Sequence, residues 1–411
     1  MKLKTLPLRN LLLYLLFFTS IFFPDRQAFA DEKNTNRGEI ITVTADFVEQ
    51  QQNRVASSIT VFSEDEIEQL AEQHFEELIN WVPNLNFAGG SSRPRYFQIR
   101  GIGERSQYQG APNPSVGFII DDIDFSGMGG IATTFDTAQI EVLRGPQGSR
   151  YGANALAGLI YIRTAEPDDV FRAKAEFSYA EDNTFSSGIA AGGPLSDQLA
   201  YRLSVQQYNS DGFRKNLFLN RTDTNEKDEF SSHLKLRWTP GENWTINTAL
   251  IKVKLNNGYD AWAADNSLFT QSDKPGRDEQ DTLGASVKIN WDGNQNVRFS
   301  SISSYAKSDV LFSFDGDWGN PVLWGVNGPY DFTSETVRNR KTTSQEFRFN
   351  SKESGRLFSG KMDWVAGLYF LNLDESNAIL DLFNGGIYNQ LNSDYSANSH
   401  AVFAELNYHF S

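Results

Sequence analysis

The chain contains no cysteine, which removes disulfide frameworks, thiolate nucleophiles and thiolate metal sites together. Histidine is nearly as scarce, with only His74, His233, His400 and His409. None of them falls at the spacing of an HExxH helix or a comparable ligand pair, so no metal centre is indicated. Positive charge is also in short supply: 37 Lys and Arg face 52 Asp and Glu, a formal net charge of −15. A nucleic-acid partner would require a basic face, and that partner is excluded. Beyond the first segment no apolar run approaches the about 20 residues that a membrane helix needs. The best of them, residues 155–162, is far too short.

What is present begins at the N-terminus. Lys2, Lys4 and Arg9 precede an apolar stretch at residues 11–23, and Ala28-Phe29-Ala30 has the small-x-small form of a signal-peptidase site. The stretch is too short for an anchor helix, the alternative reading, and suits a cleaved secretory signal over residues 1–30. Removing that segment, with Arg26 and Asp25 counted, takes away a net +3 and leaves the mature chain at −18. An exported chain with no spanning helix either remains soluble or enters the outer membrane as a β-barrel. The barrel is the other fold that satisfies every backbone group in lipid.

A change of character near residue 170 decides between these. From Asp31 to Pro167 the sequence reads as a mixed α/β domain. Ser63-Glu64-Asp65-Glu66 is a capping box that opens a helix, and residues 75–82 form a second helical stretch that ends at Pro83. Short strands follow at 96–100, 116–120, 139–143 and 159–163. From Phe171 onward the pattern is one of long alternating strands. Tyr201, Leu203 and Val205 alternate with Arg202, Ser204 and Gln206; Leu234, Leu236 and Trp238 alternate with His233, Lys235 and Arg237. Period 2 places one set on a greasy face and the other on a wet face. The wet set is too polar for the core of a soluble sandwich, whereas lipid outside and a polar lumen inside accommodate both sets. Trp238, Trp244, Trp291, Trp364 and Tyr369 near strand ends suit an interfacial girdle. Residues 256–280 and 314–337 are expected as long outer loops, and 240–243 and 292–294 as short periplasmic turns.

Several stretches resemble one family. Residues 39–45, Glu39-Ile40-Ile41-Thr42-Val43-Thr44-Ala45, look like a TonB box. Phe97-Gln98-Ile99-Arg100-Gly101 is similar to a plug motif, and Gly117-Phe118-Ile119-Ile120-Asp121-Asp122 to the strand after it, with Asp122 where the family usually has glycine. Ile140-Glu141-Val142-Leu143-Arg144-Gly145-Pro146-Gln147-Gly148, then Tyr151-Gly152-Ala153-Asn154 and Ala157-Gly158-Leu159-Ile160, match the end of the plug. The chain thus resembles the TonB-dependent outer-membrane receptors, most of all those for siderophores. Gly145, Gly148, Gly152 and Gly158 suit positive φ or close backbone approach. No Gly-Lys-Ser/Thr follows, so they form no phosphate loop.

The resemblance implies a mixed α/β plug domain followed by an antiparallel transmembrane β-barrel. Its organisation would be a signal peptide at 1–30, a periplasmic segment at 31–52, a plug at 53–167 and a partial barrel at 168–411. It implies an importer and no enzyme, taking up a ferric chelate, with cobalamin or a carbohydrate as alternative ligands. It calls for no cofactor. The expected partners are TonB, with ExbB and ExbD in the inner membrane, and outer-membrane lipid. Ile40, Ile41, Thr42, Val43, Thr44 and Ala45 would bind TonB by strand addition. Arg100 and Arg144 would lock onto Glu346 and Glu405 of the barrel. Arg93, Arg95, Tyr96, Arg105, Gln107 and Tyr108 offer cationic and aromatic groups for an anionic chelate. A hydrolase on a small barrel, a different class, would need His/Asp or Ser/His pairs that four scattered histidines do not supply.

One feature departs from the family. Only roughly ten strands can be traced, against the about 22 of a plugged transporter. The expectation is therefore a partial barrel, a fragment or a truncated and non-functional product, with an open edge strand.

Overall fold

The computed structural model describes residues 42–43, 50–51, 57–88, 90–105, 114–147, 155–327 and 330–409. Thr42–Val43 (β1) pairs antiparallel with Gln50–Gln51 (β2). Ser58–Ser63 (β3) then runs into the helix Glu64–Leu70 (α1). The capping box forms as expected: the Glu66 side chain accepts from the Ser63 amide at 2.8 Å, and Ser63 Oγ accepts from the Glu66 amide at 3.4 Å. The second helical stretch is shorter than its pattern suggests. Phe75–Leu78 (α2) is α-helical, and Ile79–Trp81 tightens into a 3₁₀ turn before Pro83.

Leu85–Phe87 (β4) and Phe97–Ile99 (β5) form a small antiparallel pair. The main plug sheet takes β3, then Thr137–Arg144 (β8), Gly158–Thr164 (β9), Val116–Ile120 (β6) and Ile123–Asp124 (β7), in that order across the sheet. The β6–β9 pair is parallel and the rest antiparallel. Phe75, Phe97 and Phe118 cluster in its core with ring centroids 5.5–6.3 Å apart, Phe97 stacked on Phe118 and Phe75 edge-on to Phe97.

Ten longer strands build the wall in simple up-and-down order. They are Arg172–Ala180 (β10), Thr184–Ser196 (β11), Leu199–Ser210 (β12), Lys227–Trp238 (β14), Trp244–Tyr259 (β15), Gly276–Trp291 (β17), Val297–Asp315 (β18), Phe332–Ser351 (β19), Met362–Phe383 (β20) and Gly386–Tyr408 (β21). Two rim segments, Lys215–Asn216 (β13) and Phe269–Thr270 (β16), pair in parallel outside that sheet. The strands reach further than the loop composition implied: β15 continues to Tyr259 and β19 begins at Phe332, inside segments expected as loops.

The alternation sorts as expected over the short-turn half of the wall. On β17 the outward residues Leu283, Ala285, Val287, Ile289 and Trp291 give way at Asp281 to charge. The apolar band from Leu283 to Trp291 matches the about 9–11 residues that cross a bilayer. Trp238 and Trp244 are about half exposed, and Trp244 lies 6.2 Å from Trp291, so these rings sit together at the short-turn end, where the girdle is expected. Tyr369 departs from that girdle. It sits opposite Glu346 in the ladder and shares its inward face, because residues paired across two strands point the same way.

A second departure concerns the lumen. Ile251, Val253 and Leu255 of β15, with Ala306 and Val310 of β18, belong to the same apolar cluster as the plug core. Plug and wall share one core, so part of the inner face is apolar. Two wall glycines make room for it. A side chain at Gly188 would lie 2.5 Å from the Phe135 ring, and one at Gly284 would lie 2.4 Å from Phe125.

Candidate functional site

The plug loop between β4 and β5 is tied to three adjacent wall strands. Arg93 is 2% exposed and forks onto Glu229 of β14, with Nε donating at 2.8 Å and Nη2 at 2.9 Å. Its Nη1 donates to Glu76 of α2 at 2.7 Å. Ser92 gives its amide and hydroxyl to Asp278 of β17 at 2.6 and 2.7 Å, and Arg95 pairs with the same carboxylate. Asn257 of β15 bridges the two clusters, donating to Ser92 Oγ and to Glu229 at 2.9 and 2.8 Å. A buried guanidinium is tolerated because bidentate carboxylates neutralise it and fill its donors. Burial alone would raise the Glu76 carboxyl, but Arg93 beside it holds it below its ordinary value.

His74 supports this cluster from beneath. It caps α2 by accepting the Glu76 amide on Nδ1 at 3.1 Å, while Nε2 lies 3.1 Å from the Gly130 carbonyl. Both contacts are satisfied by the neutral ring with its proton on Nε2. Burial, reinforced by Arg93, pushes its pKa down to about 4.

At the opposite, short-turn end the polarity reverses, and wall cations grip plug carboxylates. Lys235 of β14 lies 2.7 Å from Asp121 and 2.9 Å from Glu166. Lys288 of β17 reaches Asp122 at 3.2 Å, and Arg202 of β12 binds Asp136. Asp121 and Asp122 have φ of 48° and 66°, which makes a two-residue hairpin turn between β6 and β7. The aspartate in place of the family's glycine therefore accepts left-handed strain and gains a carboxylate for Lys288. A charge-lined cavity of about 830 Å³ lies at this end, bordered by Asp121, Asp122, Lys235, Lys288 and Arg348.

At the long-loop end lies a cavity of about 320 Å³ of different chemistry. Ala88, Gly90, Ser91, Arg95, Tyr96 and Arg105 supply its plug side. Its wall side is aromatic: Tyr259, Trp262, Phe312, Phe314, Trp318, Tyr330 and Phe332. Trp262 and Trp318 stack with centroids 5.4 Å apart and planes 11° from parallel, and Tyr259 meets Phe312 edge-on at 4.9 Å. Arg95 lies 5.9 Å from the Phe312 ring centre. Arg338 of β19 donates to the Tyr96 hydroxyl from behind the cavity.

Of the residues singled out by sequence, Arg95, Tyr96 and Arg105 line this cavity, while Arg93 is spent in the clamp beneath it. Gln107 and Tyr108 lie outside the described residues, as do Ile40, Ile41, Thr44 and Ala45. Thr42 and Val43 are held by β2. Among the described residues, no ion pair joins Arg100 or Arg144 to Glu346 or Glu405. Arg144 donates to the Pro83 carbonyl at 3.1 Å, and Arg100 occupies an exposed left-handed turn with φ of 55°. Glu346 is taken by Arg348 on its own strand at 2.6 Å, and Glu405 accepts from Asn407 at 2.9 Å. The clamp is made instead by Arg93 and Arg95, which approach from the loop that faces the wall. Sequence reasoning also missed the wall aromatics, whose only signal was the density of rings around residues 259–269 and 312–332.

Residues 51–159 match the family model of the TonB-dependent Receptor Plug Domain. That stretch is a plug domain of the TonB-dependent receptor type. It is similar to the vitamin B12 transporter BtuB of Vibrio vulnificus, at 28% identity over 48% of this chain and 32% of that protein. It is 26% identical to the pesticin receptor of Yersinia pestis over 59% of this chain and 36% of that one. Among solved structures, the ferric yersiniabactin uptake receptor FyuA from Yersinia pestis superposes with a TM-score of 0.74 at 22% identity, over 86% of this chain and 54% of that one. The ferric preacinetobactin receptor BauA from Acinetobacter baumannii gives 0.64 at 13%, over 89% and 57%. At such identities these structures establish the fold of plug and wall. The chain spans about half the length of the solved receptors, and its matches cover about a third of the curated relatives.

Proposed function

We propose that this receptor binds a ferric siderophore at the outer face of a Gram-negative outer membrane and imports it with energy delivered by TonB. The observation that carries the reading is the long-loop cavity, built jointly from plug and wall and lined by rings and arginines. Arg105 at its mouth and Arg95 at its floor suit the anionic oxygens of a chelate, and the rings suit its apolar body. Beneath it the plug is clamped, so ligand cannot pass until that clamp is worked on from the other side. The segment at 39–45 suits that task, pairing as an added strand with TonB, which ExbB and ExbD energise. Export by a signal at 1–30 and insertion among outer-membrane lipid belong to the same reading. Cobalamin is the second reading, favoured by the similarity to a vitamin B12 transporter.

Growth of a strain lacking the gene tests the proposal, with single ferric siderophores, ferric citrate or cobalamin supplied in turn. A defect confined to one ferric siderophore supports it. Unimpaired growth on every iron source, or a defect with cobalamin alone, contradicts it.

A further inference from the structure

The long-loop cavity carries a finer distinction among chelates, one that rests on the import reading above. Its volume of about 320 Å³ lies within the about 300–1,000 Å³ typical of small-molecule pockets, room enough for one ring-bearing arm of a chelate. Its charge is smaller than its arginines suggest. Arg95 is already paired with Asp278, which leaves Arg105 as the other arginine of the lining. A ligand that relied on several ionised carboxylates would find one lining cation, Arg105, that is not already paired with a carboxylate among the described residues.

The walls favour another class. Trp262 and Trp318 form a parallel stack, yet 47% of one and 39% of the other remain exposed. A stack with open faces is a platform on which a further planar ring adds in offset geometry. The Tyr96 hydroxyl accepts from Arg338, so its own proton is left to donate to an oxygen in the cavity. Ring stacking beside a hydroxyl donor and a mouth arginine is the complement of an oxygen-bearing aromatic ring. We infer that this cavity selects ferric chelates that carry an aryl arm of the phenolate or catecholate type, over ring-free hydroxamate or citrate chelates. Trp262 and Trp318 determine that specificity.

Equilibrium dialysis of the full chain in detergent tests this with three radioiron complexes: ferric N-(2,3-dihydroxybenzoyl)serine, ferrioxamine B and ferric citrate. The aryl complex is expected to bind about tenfold or more tighter than either ring-free complex. Trp262→Ala and Trp318→Ala should each weaken it about tenfold. Trp262→Phe, which keeps a ring and guards against a folding defect, should retain most of the affinity. Equal or tighter binding of ferrioxamine B or citrate overturns the inference while the import reading stands. So does aryl binding that neither alanine variant weakens. Failure of all three complexes to bind overturns the inference and the siderophore reading together.

Discussion

Arg338 of the wall donates to the hydroxyl of Tyr96 on the plug, and a second of its nitrogens donates to the Gly127 carbonyl at 3.0 Å. The guanidinium is 1% exposed and its Nε has no hydrogen-bond partner. Among the described residues it forms no ion pair with a carboxylate. The ring of Tyr96 therefore lines the long-loop cavity while its hydroxyl accepts from a buried cation. The cost of removing that hydroxyl falls on Arg338, a buried cation that loses an acceptor. Tyr96→Phe is expected to destabilise the protein by roughly 1–3 kcal/mol. Adding Arg338→Met should recover much of the loss, because an apolar replacement leaves no stranded charge. A double-mutant cycle on thermal unfolding checks this, and strictly additive effects would contradict the pairing.

The clamp makes unequal demands on its members. Arg93→Ala leaves Glu229 and Glu76 buried without their cation and should cost about 3–5 kcal/mol. Glu229→Gln leaves Glu76 in place at 2.7 Å to hold Arg93, and should cost less, roughly 1–3 kcal/mol. Urea unfolding of the two variants gives the order directly; a larger loss in Glu229→Gln would contradict the network as described.

His74 links the clamp to pH. Its folded pKa of about 4 lies below the ordinary value of 6.5, so the folded state prefers the neutral ring. As pH falls from 6.5 toward 4 the unfolded chain takes up the proton first, and stability is lost across that window. The contribution at stake is on the order of 3 kcal/mol. Glu76 and Glu229 oppose the shift, while Arg93 and Lys227 reinforce it. His74→Asn keeps a side chain that caps helices well and removes the titration. Its melting temperature should vary less with pH between 6.5 and 4 than that of the natural chain; an unchanged slope would show that His74 does not set it.

Much of this was legible in the sequence because it is local. The Ser63–Glu66 capping box, the halt before Pro83 and the alternation in β12 and β14 each depend on residues a few positions apart. The clamp was not legible. Arg93 and Glu229 lie 136 positions apart, and either could as well have been a solvated charge. Arg100 and Arg144 drew attention through their motifs, yet the turn at Arg100 and the Pro83 carbonyl, 61 positions from Arg144, hold them within the plug. Tyr369 was misplaced because an aromatic near a strand end reads the same whether it faces lipid or plug. The apolar inner face of β15 escaped for a related reason. Alternation reveals two faces, but not which of them is covered by another domain.

The strand β1 bears on the proposed energy coupling. Thr42 and Val43 pair with Gln51 and Gln50, and Val43 is fully buried, so the segment must be freed before an added strand can form on a partner. Val43→Pro tests the proposed coupling most directly, since proline removes a ladder N–H from that strand. The decisive measurement compares this variant with the natural chain for ferric siderophore binding and for energised uptake in the same cells. The account predicts binding within about twofold of the natural chain, because the cavity lies in other residues, with uptake abolished. Uptake that continues unchanged in Val43→Pro would contradict it.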